Sequence, residues 1–268
     1  MMKPALRPPM LAPLREALAP GEGVGVSPIG AFLSGTGTVD FDAKKALTTQ
    51  FTDSAGTTPV TASADKVGRW NDATGHGFDA VQGTPSARLN AILTGTRWTD
   101  TGDGVDDNLL SSFLNGSGDM SMFIDVDVPA TISALQIVAG STAAAVTDMF
   151  RCGFSTGGAF VAGVGSQSPA VIVDPTNTDY RSRRFIGALV RDATAGRVKL
   201  FTAAGEVYDQ PGAGVVNTTI PWRLASFNNG GSAAGLFTGG IARVCGAPKA
   251  LSLADFNLMR AEQLAYNS

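Results

Sequence analysis

Four groups of side chains have the types and spacing that chemistry requires. Asp103, Asp106 and Asp107 surround Gly104. Carboxylates so spaced either accept backbone N–H bonds and brace a turn, or direct several oxygens at one hard cation such as Ca²⁺. Asp125 and Asp127 alternate with Met122, Ile124, Val126 and Val128, so a strand would place the two acids on one face, about 7 Å apart. Paired carboxylates are the equipment of glycoside hydrolysis, but period-two alternation marks them first as the solvated face of a half-buried strand. Arg181-Ser182-Arg183-Arg184 offers charge to an acidic polysaccharide or a neighbouring subunit, or solvates a strand edge. Trp98, Tyr180, Tyr208 and Trp222 are the aromatic faces available to a sugar ring.

Nucleophilic and metal chemistry have little to work with. His76 is the single histidine, set between Gly75 and Gly77, where two glycines suit an exposed turn with positive φ. No serine lies in a G-x-S-x-G strand-turn-helix context, which argues against a serine hydrolase. Cys152 and Cys245 are too few and too far apart for a zinc site. They are expected as two free, buried thiols, which behave as small apolar side chains, with a single bridge between neighbouring strands as the alternative in an oxidising compartment.

The elements that hold these residues are mostly short strands. Apolar residues make up 44% of the 268 positions and charged residues 16%, with 33 glycines and 14 prolines, a balance that suits many strands joined by tight turns. Strands are predicted at Ser121–Val128, Ile132–Val138, Ala159–Val164, Ala170–Val173, Phe185–Val190, Arg197–Thr202, Trp222–Phe227 and Gly240–Cys245. Turn-forming runs such as Asp174-Pro175-Thr176-Asn177 separate them. One helix is predicted after Ser252, with Asp255 completing a capping box and Leu253, Phe256, Met259 and Leu264 recurring at helical spacing. The expected fold is all-β, an antiparallel sandwich closed by a short C-terminal helix.

Residues 1–30 differ in kind. Prolines at 4, 8, 9, 13 and 20 favour extended chain, and with Arg7, Arg15 and Glu16 they interrupt any secretory h-region. The segment reads as an arm, with Leu6, Met10, Leu11 and Leu14 as apolar docking contacts, ahead of a sandwich domain at 31–268. A formal charge of −3 without a basic run speaks against nucleic acid as a partner. No stretch reaches 18 consecutive apolar residues, so membrane insertion is not expected.

Several motifs in order resemble one family. Phe51-Thr52-Asp53-Ser54-Ala55-Gly56-Thr57-Thr58-Pro59-Val60-Thr61-Ala62 is followed by Trp70-Asn71-Asp72-Ala73-Thr74-Gly75-His76-Gly77-Phe78-Asp79-Ala80, then by Asp103-Gly104-Val105-Asp106-Asp107. Phe237-Thr238-Gly239-Gly240 and Leu251-Ser252-Leu253-Ala254-Asp255 come near the end. Over residues 40–265 these resemble the laminin-G-like, concanavalin A-like domains of tailed-phage virion proteins. The resemblance implies a jelly-roll sandwich in which Trp70, Asp72, Gly75, His76, Gly77, Ala80 and Gly104 are structural markers. It further implies a virion location, other virion proteins as partners, self-association as a homotrimer, and no enzyme activity. The leading expectation is an adhesion component of a tail fibre, tail tip or head spike that contacts host surface glycans. A decoration subunit making only protein contacts is the second. A polysaccharide-degrading enzyme is the third, although Glu16, Glu22, Glu206 and Glu262 match no Glu-x-Asp-x-x-Glu pattern of the related glucanases.

Overall fold

Met122, Ile124 and Val126 point to one side of the strand Met120–Asp127, which lies near the middle of the first of two sheets. The computed structural model describes residues 26–143, 147–165 and 172–266. Leu6, Met10, Leu11 and Leu14 lie outside the described residues, as do Ala170 and Val171 of one predicted strand. The first sheet runs in the order Gly205–Pro211, Arg197–Thr202, Arg184–Asp192, Met120–Asp127, Gly240–Ala247, Arg97–Thr101, Leu89–Thr94, Lys66–Val67, with Val39–Asp42 also paired to Gly240–Ala247. The second runs Ile172–Val173, Phe160–Gly165, Thr147–Phe154, Gln136–Ala143, Arg223–Leu224, Leu109–Ser111, Ala80–Val81, Arg69–Trp70, Gln50–Phe51. A hairpin of Phe227–Asn229 and Ser232–Ala234 joins the second sheet through a parallel pairing with Gln136–Ala143. The other strand pairings among the described residues are antiparallel, which makes the protein an all-β antiparallel sandwich with a short C-terminal helix.

Aromatic rings fill the space between the sheets. Phe154 and Phe160 lie 5.2 and 4.7 Å from Phe185, centroid to centroid. Trp222 stands edge-on to Phe113 at 4.7 Å and stacks with Phe150 at 6.0 Å. Removing a ring this well enclosed costs about 3–5 kcal/mol. Cys152 faces this core while Cys245 lies on the outer side of the first sheet, and both are free.

That outer side is where the pattern of alternation misleads. Phe123 and Asp125 point away from the inter-sheet core, yet both are fully buried, because the C-terminal helix Leu253–Tyr266 and the short helix Pro28–Phe32 cover them. Ser252 begins the longer helix as expected: its hydroxyl accepts the Asp255 N–H at 3.1 Å and donates to Asp255 Oδ2 at 2.7 Å. The helix buries Phe256, Met259 and Gln263, whereas Leu264, one residue past that stripe, is exposed. Ile29 and Phe32 of the short helix pack in the same layer, and Ile29 N–H donates to Glu262 Oε2 at 2.8 Å. The packed body therefore begins before residue 31.

Asp125 is consequently not a solvated side chain. Its carboxylate accepts Arg97 Nη2 at 3.0 Å, Arg184 Nε and Nη2 at 2.9 and 2.8 Å, and Gln263 Nε2 at 2.9 Å. Gln263 Oε1 in turn accepts Arg243 Nη1 at 3.1 Å, and Arg243 grips Asp40 through two bonds of 2.8 and 2.7 Å. Removing one partner of a buried ion cluster leaves the others charged in a medium that solvates them poorly. Asp125→Ala is expected to lower the unfolding free energy by about 3 kcal/mol or more, read from urea titrations of parent and variant. A loss within experimental error would show that the helix does not seal this face.

Candidate functional site

One rung of the second sheet supplies the floor of the site. Gly140 is paired with Arg223 on one side and Arg151 on the other, and Arg151 is paired in turn with Gly163. Phe150 and Cys152 point into the inter-sheet core, so alternation sends Arg151 to the outer face. Gly140 adopts φ +137°, and a Cβ there would lie 2.6 Å from that of Arg151. Glycine is therefore required beside this arginine. Phe227, carried by the outer hairpin, lies across the guanidinium with its ring centroid 4.1 Å from the Arg151 Cζ.

A cleft of about 580 Å³ opens at this place. Ser133, Leu135 and Gln136 form one wall, Leu236 and Thr238 another, with Phe227 and Arg151 inside and Asp103 at the rim. Gln136 and Thr238 tie the walls together, since Gln136 Nε2 donates to Thr238 Oγ1 at 3.1 Å and Gln136 Oε1 accepts Thr238 N–H at 3.2 Å. Arg151 is only 3% exposed, and burial lowers its pKa to about 10. Arg223 is also pushed down by burial, and its terminal nitrogens donate to Asn108 Oδ1 and the Gly231 carbonyl.

The Asp turn borders the cleft. Gly104 has φ +77°, and Asp103 Oδ1 accepts the N–H groups of Val105 at 2.7 Å and Asp106 at 3.3 Å. Those bonds hold the Asp103 pKa below the usual carboxylate value. Asp107 Oδ2 accepts the Asp103 N–H at 3.0 Å, while its Oδ1 is buried without a partner. Burial, followed by repulsion from Asp103, raises the Asp107 pKa. The three carboxylates each place an oxygen within 4.8 Å of the others, close enough to share one Ca²⁺, and the same bonds brace the turn.

The tryptophan signature is a braced turn. Trp70 and Ala80 are paired across adjacent strands and fully buried. Asp72 Oδ1 accepts the N–H groups of Asp40 and Thr74, both at 3.0 Å. Gly75 and Gly77 both have φ +80° and leave His76 exposed, its Nδ1 3.0 Å from the Thr38 carbonyl oxygen.

The aromatic and basic residues predicted to bind sugar are not brought together. Trp222 is fully buried and donates its indole N–H to Asn115 Oδ1 at 2.7 Å, so it offers no face to a ligand. Tyr180 packs its ring on Phe185 at 4.6 Å. Trp98 and Tyr208 are half-buried against the core and lie toward opposite ends of the first sheet. Arg181 is held by Asp179, whose pKa is lowered to about 2 by that side-chain bond. Arg184 turns inward to Asp125, and Arg183 remains exposed. The sequence reading missed Arg151, Phe227 and Gln136. The alternation in Phe150-Arg151-Cys152 was the available signal, a lone arginine inside a strand-like apolar run. A second cavity of about 340 Å³ near the helices is lined by Asp40, Asp42, Arg243, Glu262 and Tyr266. There Arg243 pairs with Asp40 and approaches Asp42, and Glu262 accepts the Ile29 N–H.

No protein-family profile matches this sequence, and no curated protein matches it. Solved structures do resemble it in fold. A Trypanosoma rangeli sialidase mutant with trans-sialidase activity superposes with a TM-score of 0.52 at 11% identity, over 75% of this chain and 32% of that one. NanB sialidase of Streptococcus pneumoniae gives 0.43 at 14% identity, over 52% of this chain and 23% of that one. The CBM40 of Ruminococcus gnavus IT-sialidase bound to α2,6-sialyllactose gives 0.42 at 15%, over 53% and 84%. The chain thus spans about a quarter of the length of the NanB structures it matches. The likeness is one of fold alone, a β-sandwich.

Because the folded chain holds a proton on Asp107 more tightly than the unfolded chain does, stability falls as pH rises from the ordinary aspartate value through the raised one. Asp107→Asn is expected to flatten that part of the melting-temperature profile and to raise the Tm at neutral pH in chelator-treated buffer. Millimolar Ca²⁺ that raises the parent Tm, and not that of the variant, is the signature of a cation at this turn.

Proposed function

We propose that this chain is a glycan-binding sandwich displayed on a tailed-phage or phage-like particle, attached through its Pro-rich N-terminal segment and contacting host surface sugars at the cleft on the outer face of the second sheet. The observation that carries the binding reading is the cleft itself. Its volume of about 580 Å³ falls in the range of small-ligand sites, and it combines apolar walls with a few polar groups, as such sites do. Leu135, Leu236 and Phe227 supply the apolar surface, and Gln136, Thr238, Ser133 and Asp103 supply donors and acceptors for hydroxyls.

Binding is a better reading than hydrolysis. The carboxylates with catalytic spacing, Asp125 and Asp127, are both engaged by Arg97, and Asp125 lies beneath a helix where no substrate reaches it. The virion setting rests on the motif resemblance spread over residues 40–265.

On a glycan array the purified chain is expected to retain at least one class of oligosaccharide, and Leu236→Trp, which fills the cleft from its wall, is expected to weaken that binding at least tenfold at unchanged Tm. Binding to no glycan would overturn the reading. A chain lacking residues 1–25 is expected to keep its melting temperature and fail to enter particles, as measured by immunoblot of purified virions; normal incorporation would remove the attachment role.

A further inference from the structure

We infer that the cleft selects anionic sugars, with the Arg151 guanidinium receiving a carboxylate or sulfate of the glycan. This rests on the reading that the cleft binds glycans and names the chemical class it prefers.

The other buried or half-buried arginines near the sheets are nearly all given partners. Arg243 is spent on Asp40, and Arg97 and Arg184 on Asp125. Arg191, which forms no ion pair among the described residues, is spent on the carbonyls of Ser117, Ala213 and Gly214, at 2.9, 2.7 and 2.7 Å. Arg151 is the exception. At 3% exposure it forms no ion pair and donates no hydrogen bond among the described residues, and its Nε is buried without a partner. A guanidinium has five N–H donors and keeps its charge, so leaving it dry and unpaired is costly. The ring of Phe227 offsets part of that cost. A ring face accepts none of the in-plane N–H groups, which therefore remain available to a planar anion approaching from the cleft.

The surroundings favour an anion further. The two rung neighbours of Arg151 are glycines, so no side chain stands between the guanidinium and an incoming group on either flank. Arg223 lies across Gly140 on the same rung, two strand spacings or about 10 Å away, and has no carboxylate partner among the described residues. Its Nε is also buried and unpaired. Among the described residues Arg151 is the one cation that lines the cleft, and Arg223, outside the lining on the same rung, adds to the positive field there in a chain of net charge −3. Asp103 at the rim gives the cleft polarity: the charged end of a sugar belongs at Arg151 and its hydroxyls toward Asp103.

The test is an array of hexuronate oligosaccharides, each beside its carboxyl-reduced counterpart, probed with parent and Arg151→Met. Methionine keeps apolar packing under Phe227 and removes the charge. The parent is expected to bind acidic forms at least tenfold more tightly than reduced ones, and Arg151→Met to lose that preference while its Tm stays equal or rises, since a buried unpaired charge has been removed. Equal binding of both forms, or a preference surviving in Arg151→Met, overturns the anion assignment and leaves glycan binding intact. A second readout separates the two ideas: titration of glucuronate or sulfate against the Arg151 Nε–H resonance. If no glycan binds but either anion shifts that resonance, the anion site stands and the glycan reading falls. If neither glycans nor free anions produce a response, both fall.

Discussion

The buried charge lattice on the outer face of the first sheet decides how this chain closes. Asp40, Asp125, Arg97, Arg184 and Arg243 belong to five different strands, and Gln263 of the C-terminal helix bridges the two halves by donating to Asp125 and accepting from Arg243. Asp40 and Arg243 are 203 residues apart in sequence. Their pairing fixes the first described strand against the last, and the helix docks only where Gln263 can reach both sides. Ion clusters of this kind contribute little net stability against an apolar alternative, yet partial assembly is heavily penalised. The lattice therefore acts as a registration device: a helix rotated or shifted by one residue would take the Gln263 amide away from both Asp125 and Arg243, at the cost of one buried hydrogen bond on each side.

That closure has a consequence for the opposite face. The central part of the first sheet is covered on both sides, by the second sheet and by helices, so residues such as Phe123 and Asp125 are unavailable to a ligand. Among the described residues the second sheet carries on its outer side the small hairpin Phe227–Asn229 and Ser232–Ala234. The hairpin covers part of the face, and its edge is one wall of the cleft. Asymmetric covering thus selects where binding can occur before any particular side chain is considered.

How much of this the sequence makes legible follows from which interactions are local. Period-two alternation located Met120–Asp127 and Arg197–Thr202, and the Ser252–Asp255 capping box located the C-terminal helix, because each is written within a few residues. The Asp103–Gly104 turn was legible for the same reason. The burial of Asp125 was not, since a helix 138 residues away in sequence supplies its cover and partner; alternation reports two faces and is silent on which of them meets solvent. Trp222 was misread because an aromatic ring gives the same signal whether it stacks on a sugar or on Phe150. Arg151 escaped notice because its meaning lies in absent partners, which only the three-dimensional surroundings reveal.

Departures from polar satisfaction mark places where a protein spends stability on function, and two of those found here, at Arg151 and Asp107, lie at the cleft or beside it. Buried polar atoms without partners include Asp100 Oδ1 and Gln50 Oε1, but these two side chains are already joined through Gln50 Nε2 and Asp100 Oδ2. Complete burial raises the Asp100 pKa well above the usual value, and each side chain already has the other as a partner. Among the described residues no such internal remedy exists for Arg151, which has no acid paired with it, or for Asp107 Oδ1, which faces the like charge of Asp103 and the opposite charge of Lys66 without a hydrogen-bond partner. These two unresolved groups, one cationic and one anionic, lie within and beside the same cleft. Among the described residues neither Arg151 nor Asp107 Oδ1 finds a hydrogen-bond partner, which is why the proposed ligand is sought at this cleft and not at the Gln50–Asp100 pair.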